Sequence, residues 1–129
     1  MAFSLSEYPV PLIGSIIPLQ CMVSFETNEV GTFSFPLMPF RFKLNRVDSV
    51  VTKTVAGSND GTITLKKAST TYAEVTVAAS AAIGDEDADT TVTETAFELT
   101  EQLKVVTAKS TAGGRCLLTV FVEVLPTHQ

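Results

Sequence analysis

Arg115-Cys116-Leu117-Leu118-Thr119-Val120-Phe121-Val122-Glu123-Val124 is rich in β-branched and aromatic residues, and Gly113-Gly114 precedes it. Such a run reads as a strand, with the glycine pair supplying the turn that feeds it. Just upstream, Phe97-Glu98-Leu99-Thr100-Glu101-Gln102-Leu103-Lys104-Val105-Val106-Thr107 alternates apolar and polar over much of its length. Period two means a half-buried strand, not a helix, and the strand is placed at Gln102 to Lys109. Chemistry-bearing residues are nearly missing from this last third: the chain's single histidine is His128, and tryptophan is absent.

Working back toward the N-terminus, the same alternation recurs. Thr62-Ile63-Thr64-Leu65-Lys66-Lys67 places Ile63 and Leu65 inward, after the turn residues Ser58-Asn59-Asp60-Gly61. Phe40 to Val55 is a long extended segment in which Phe40, Phe42 and Leu44 share one parity, whereas Val47 and Val51 share the other. One regular strand cannot point both sets at one core, so a bulge or bend near Asn45-Arg46 is expected. Gln20 to Glu26, Gly31 to Phe35 and Glu74 to Val77 supply further strands, with a turn at Thr27-Asn28-Glu29. Thr91 to Glu94 is a weaker strand candidate, and alanine-rich Ala78 to Ile83 is too short to stand alone as a helix. The sum is about eight antiparallel strands in one domain, an all-β sandwich of jelly-roll or Greek-key type.

Residues 1–18 read differently. Pro9, Pro11 and Pro18 rule out a regular helix or a central strand, yet Phe3, Leu5, Tyr8, Leu12, Ile13, Ile16 and Ile17 make the stretch apolar. This is an extended N-terminal arm ahead of a sandwich over residues 19–129. It must lie on something, either its own domain or a neighbouring subunit. Leu117 and Phe121 raise the same question, because their parity is opposite to that of Leu118 and Val120. Both faces of the last strand are partly apolar, so its second face is covered by the chain's own arm or by another subunit.

Composition narrows the classes. A chain of 129 residues with 45% hydrophobic content is one foldable domain. A net charge of −5 with scattered Lys and Arg opposes binding to nucleic acid or anionic membrane. Arg41, Lys43 and Arg46 form the one local basic group, spaced for the outer face of a strand. Val10 to Met22 is interrupted by prolines and too short to span a bilayer, and no basic segment precedes it as in a signal peptide, so a cytosolic product is expected. Cys21 and Cys116 make no disulfide framework. They read as small buried hydrophobes, with a single bridge between them left open. Asp85, Asp87 and Asp89 copy the start of a calcium loop, but Thr90 stands where glycine is needed and Ala96 where the bidentate glutamate belongs, so Gly84 to Thr90 reads as a solvated acidic loop. No nucleophile has a positioned base, and no metal-ligand spacing occurs. The expectation is a non-enzymatic chain with no cofactor and no metal.

The order of features resembles the small jelly-roll decoration, or cement, proteins of tailed-bacteriophage heads. The shared elements are a Phe35-Pro36 to Pro39-Phe40 corner, the Arg46-Val47-Asp48-Ser49-Val50-Val51 segment, and Asp60-Gly61 before Thr-Ile-Thr-Leu. They continue with Val75 through Gly84-Asp85, Leu103-Lys104-Val105, and the Ser110 to Gly114 turn before the last strand, so the likeness spans Phe33 to Val124. The resemblance implies a structural protein of the virion, assembled in the bacterial host cytoplasm. It would sit on the capsid exterior as a homotrimer at three-fold positions, bound to the major capsid protein. A competing class is an attachment or carbohydrate-binding sandwich. The lack of tryptophan and the presence of only Tyr8 and Tyr72 leave few aromatic platforms for a sugar. On the cement reading, the interface residues are Phe3, Leu5, Tyr8, Leu12, Ile13, Ile16, Ile17, Leu117 and Phe121.

Overall fold

The computed structural model describes residues 12–26 and 30–126. Eight strands follow one another: β1 (Ile16–Ser24), β2 (Gly31–Ser34), β3 (Arg41–Lys53), β4 (Gly61–Lys67), β5 (Thr70–Val77), β6 (Glu86–Asp89), β7 (Lys104–Ala108) and β8 (Arg115–Leu125). They form two antiparallel four-stranded sheets, β1-β8-β3-β6 and β2-β7-β4-β5. Only β4 to β5 is a hairpin within one sheet; every other consecutive pair crosses between sheets. That is the double Greek key of a jelly roll. The fold class expected from the alternation is the one observed.

The core lies between the sheets. Phe42, Leu44, Val47 and Val51 of β3 face Ile63, Leu65, Val75, Val77 and Val105 of the other sheet, and Cys116, Leu118, Val120 and Val122 of β8 join them, all nearly sealed from solvent. β3 needs its irregularity to do this. The β3–β8 register shifts between Leu44 and Arg46, where the parity conflict placed it, so Phe42 and Leu44 point inward as do Val47 and Val51. A second shift between Val51 and Lys53 ends the ladder.

Three local expectations change. β1 starts at Ile16, earlier than the prolines suggest, and takes in Pro18. Pro18 is tolerated because β1 is an edge strand, where a missing N–H can face away from the ladder. The acidic run is not a loop: Glu86–Asp89 pairs with Val47–Val50 as edge strand β6. Residues 91–94 form no strand; instead the Thr93 N–H donates to the Tyr72 carbonyl beside β5. Ala78 to Ile83, too short for a helix, forms turns. The expected turn at 27–29 lies outside the described residues.

Two backbone reversals need glycine. At Gly114, φ is +123°, and a Cβ would sit 2.9 Å from the Val55 Cα. The pair Gly113-Gly114 is thus a close crossing: the Gly113 N–H donates to the Phe25 carbonyl, and the Phe25 N–H to the Gly114 carbonyl. At Gly14, φ is +87°, within a turn closed by the Ser15 N–H on the Leu12 carbonyl. Positive φ at the third position alone makes this a type II turn.

Candidate interaction surface

The two outer faces of the sandwich differ in chemistry. On the β2-β7-β4-β5 sheet, register places Thr32, Val106, Thr64 and Glu74 in one row and Ser34, Lys104 and Lys66 in another. This face is polar with Val106 as an isolated apolar residue, as expected for a solvated sheet surface.

The β1-β8-β3-β6 sheet carries an apolar band on its outer face. Met22, Leu117 and Val50 line up in one cross-strand row, and Pro18 with Phe121 in another. Met22 is 55% exposed and Ile16 45%, while Leu117, Phe121 and Val50 are half-buried. Leu12 and Ile13, in the turn ahead of β1, are more exposed still. Gln20 interrupts the band, its amide donating to the Thr119 hydroxyl at 3.1 Å.

Lys43 and Arg46, on the β3 side of the band, are paired with carboxylates. Lys43 donates to Glu94 at 3.1 Å and lies 4.0 Å from Glu123, and Arg46 donates to Asp48 at 2.8 Å. The hydrogen bond to Glu94, then the charge of Glu123, holds the Lys43 ammonium above the ordinary lysine range. An apolar centre with a rim of compensated charge is the usual anatomy of a protein–protein contact surface. Arg41 departs from the expected basic group: it is 9% exposed, forked onto both carboxylate oxygens of Glu98 and bonded to the Pro126 carbonyl. Arg41 keeps the outward parity of Lys43, but Glu98 and the Pro126 carbonyl engage it there.

The named interface residues therefore divide. Ile16, Leu117 and Phe121 lie on this face, and Leu12 and Ile13 are exposed in the turn ahead of it. Ile17 points the other way and packs against the core edge. Phe3, Leu5 and Tyr8 lie outside the described residues. Met22, Pro18 and Val50 were missed in the sequence, because membership of the face depends on which strands are neighbours; the parity of Met22 with Pro18 and Ile16 was the available signal.

Other candidate chemistry is structural. Asp85 accepts from the Ala82 N–H, and Asp89 accepts from the Thr91 and Glu74 N–H groups, so two of the three aspartates are engaged by backbone. Among the described residues no group of His, Cys, Asp and Glu is arranged to hold a metal ion, and no helix is long and apolar enough to cross a membrane. Cys21 and Cys116 are free thiols in diagonal positions across β1 and β8, on the inner face. Burial pushes both thiols up to about 11. A depression of about 280 Å³ involves Ser34, Lys67, Glu101 and Lys104. Its Lys67 ammonium is already committed to the Ala96 carbonyl, to Glu101, and to the faces of Tyr72 and Phe97. Tyr72 is buried and offers no sugar platform.

The fold and this face define a class: an all-β jelly-roll sandwich with one solvated face and one apolar, charge-rimmed face. No protein-family model matches the chain, and a search of curated proteins finds no match either.

Proposed function

We propose that the chain is a non-enzymatic structural protein that decorates and stabilises a bacteriophage capsid. It binds the outer surface of major capsid protein subunits, as a trimer at three-fold positions. The observation that carries this reading is the apolar outer face of the β1-β8-β3-β6 sheet, bordered by the Lys43 and Arg46 ion pairs. A stiff two-sheet body presenting one flat adhesive face suits a protein that must resist outward strain in a shell without moving. The likeness of the strand and turn order to phage cement proteins supplies the identity of the partner.

Sedimentation of the purified chain with undecorated phage heads tests the proposal. Saturable uptake is expected, with uptake lost in a Met22→Ser, Phe121→Ser double variant whose melting temperature is little changed. Heads that take up none of the intact chain, together with selective binding on a glycan array, would overturn it in favour of an attachment module.

A further inference from the structure

The four sheet edges are not treated alike. Exposed edge strands invite pairing with other chains, and proteins ordinarily shorten, charge or cover them. β2 has 4 residues and β6 has 4, the latter acidic through Glu86, Asp87 and Asp89. β5 is covered: its Tyr72 carbonyl takes the Thr93 N–H, and its Glu74 N–H is bound by Asp89. β1 has 9 residues, Ile16–Ser24, with no charged side chain.

The direction of its backbone groups follows from its two ends. The Val124 N–H donates to the Ser15 carbonyl, and the Phe25 N–H donates to the Gly114 carbonyl. The β1–β8 register runs between them without a shift. Odd-numbered residues of β1 therefore bond to β8, and even-numbered ones turn their N–H and C=O groups to the free edge. Pro18 falls on the free side, so it breaks no β8 bond. Among the described residues, the amides of Ile16, Gln20, Met22 and Ser24, with the matching carbonyls, are left as a row without backbone partners.

The chain holds one segment suited to fill that row. Ahead of the described residues, Phe3 and Leu5 alternate with Ser4 and Ser6, a half-apolar strand pattern. Residues 1–11 reach about 36–40 Å when extended. Their point of departure, Leu12, is turned toward β8: the Gly14 N–H donates to the Val124 carbonyl, and the Ser15 N–H to the Leu12 carbonyl. Pro9 and Pro11 bias the residues before them, Tyr8 and Val10, toward extended backbone.

We propose that residues 2–8 of one copy add as a strand to the free edge of β1 in a second copy. A head-to-tail exchange of this kind closes into a ring when the rotation permits. The inference stands on the edge geometry and does not depend on what covers the outer face.

Residue-resolved amide exchange, with absolute mass from light scattering, tests it on three proteins: the intact chain, a variant lacking residues 2–8, and Gln20→Pro. The last removes only a free-edge N–H. For the intact chain, a multimer is expected in which the Gln20 and Met22 amides exchange at least tenfold slower than in the deletion variant. Both variants are expected to be monomers. Rapid exchange at Gln20 and Met22 in an intact multimer would overturn the proposal. So would slow exchange in an intact monomer, which would mean the chain's own arm lies there, or a multimer that survives the deletion. Head uptake is a separate readout, so failure of strand exchange and failure of the capsid reading are distinguishable.

Discussion

Phe97→Ala should be the most damaging single truncation in the long segment between β6 and β7. Phe97 lies outside any extended ladder, yet it is fully buried. Its N–H donates to the Phe42 carbonyl at 2.6 Å, and the Phe42 N–H returns to the Phe97 carbonyl at 3.2 Å, an isolated bridge that fastens the segment to β3. The ring stacks on Phe42 at 4.7 Å and 5° and leans on Tyr72 at 5.1 Å. Removing a buried phenylalanine costs about 3–5 kcal/mol in transfer and cavity terms. The lost stacking adds about 0.5–1.5 kcal/mol. The Lys67 ammonium, 4.9 Å from the ring centre, would be rehydrated through the opening and return a little of this. A net loss of about 4 kcal/mol corresponds to a fall in Tm of about 15 °C for a domain of this size. Phe97→Leu keeps most of the volume and should cost only about 1–2 kcal/mol. Urea unfolding of the three proteins gives these differences directly. A loss below about 1 kcal/mol for Phe97→Ala, or equal losses for the two variants, would refute the view that this ring pins the segment.

Further outcomes follow from single groups. Among the described residues the buried Ser49 hydroxyl has no hydrogen-bond partner, so Ser49→Ala should stabilise by about 1 kcal/mol in thermal melts, and a lower Tm would show that the hydroxyl is satisfied. Ala68 has φ of 54° at the first central position of the two-residue β4–β5 turn, where glycine is favoured, so Ala68→Gly should gain about 1 kcal/mol despite the added chain entropy. Both thiols, pushed up to about 11, should react with a thiol reagent at pH 8 on the order of a hundredfold more slowly than an ordinary cysteine, until denaturant is added.

The pH dependence has a definite sign. The Glu26 carboxyl is held low by Lys53 and then the Gly114 N–H, that of Glu98 by Arg41, and that of Glu101 by the Glu98 N–H and then Lys67. Each binds a proton less readily folded than unfolded. Their contribution is complete above the ordinary glutamate value of about 4.3 and is lost as pH falls through the lowered ones. Asp87 runs opposite: burial and then Asp85 raise it, so it destabilises at neutral pH and ceases to do so in acid. Stability should therefore be nearly flat from pH 7 to 5 and fall below about pH 4. Asp87→Asn should raise Tm at pH 7, with the gain vanishing at low pH; a gain that persists there would contradict the assignment.

What the sequence determined by itself was everything carried by local periodicity. The alternation in Thr62–Lys67 and Arg115–Val124 specified strands and their buried faces, and the parity conflict between Leu44 and Val47 located the bulge, because side-chain direction in a strand depends only on residue count. Two apolar faces on the last strand were visible for the same reason. Tertiary structure decided the partners. β1 lies beside β8 at the far end of the chain, which alone makes Pro18 an edge residue, joins Met22 to Leu117 and Val50, and leaves Cys21 diagonal to Cys116. The acidic run became a strand because β3 offered it a ladder, against its own poor strand preference. Arg41 is covered because Glu98, distant in sequence, was folded beside it. Pairing between strands is non-local: its energy appears only when distant segments meet, so no local pattern encodes which edge remains open.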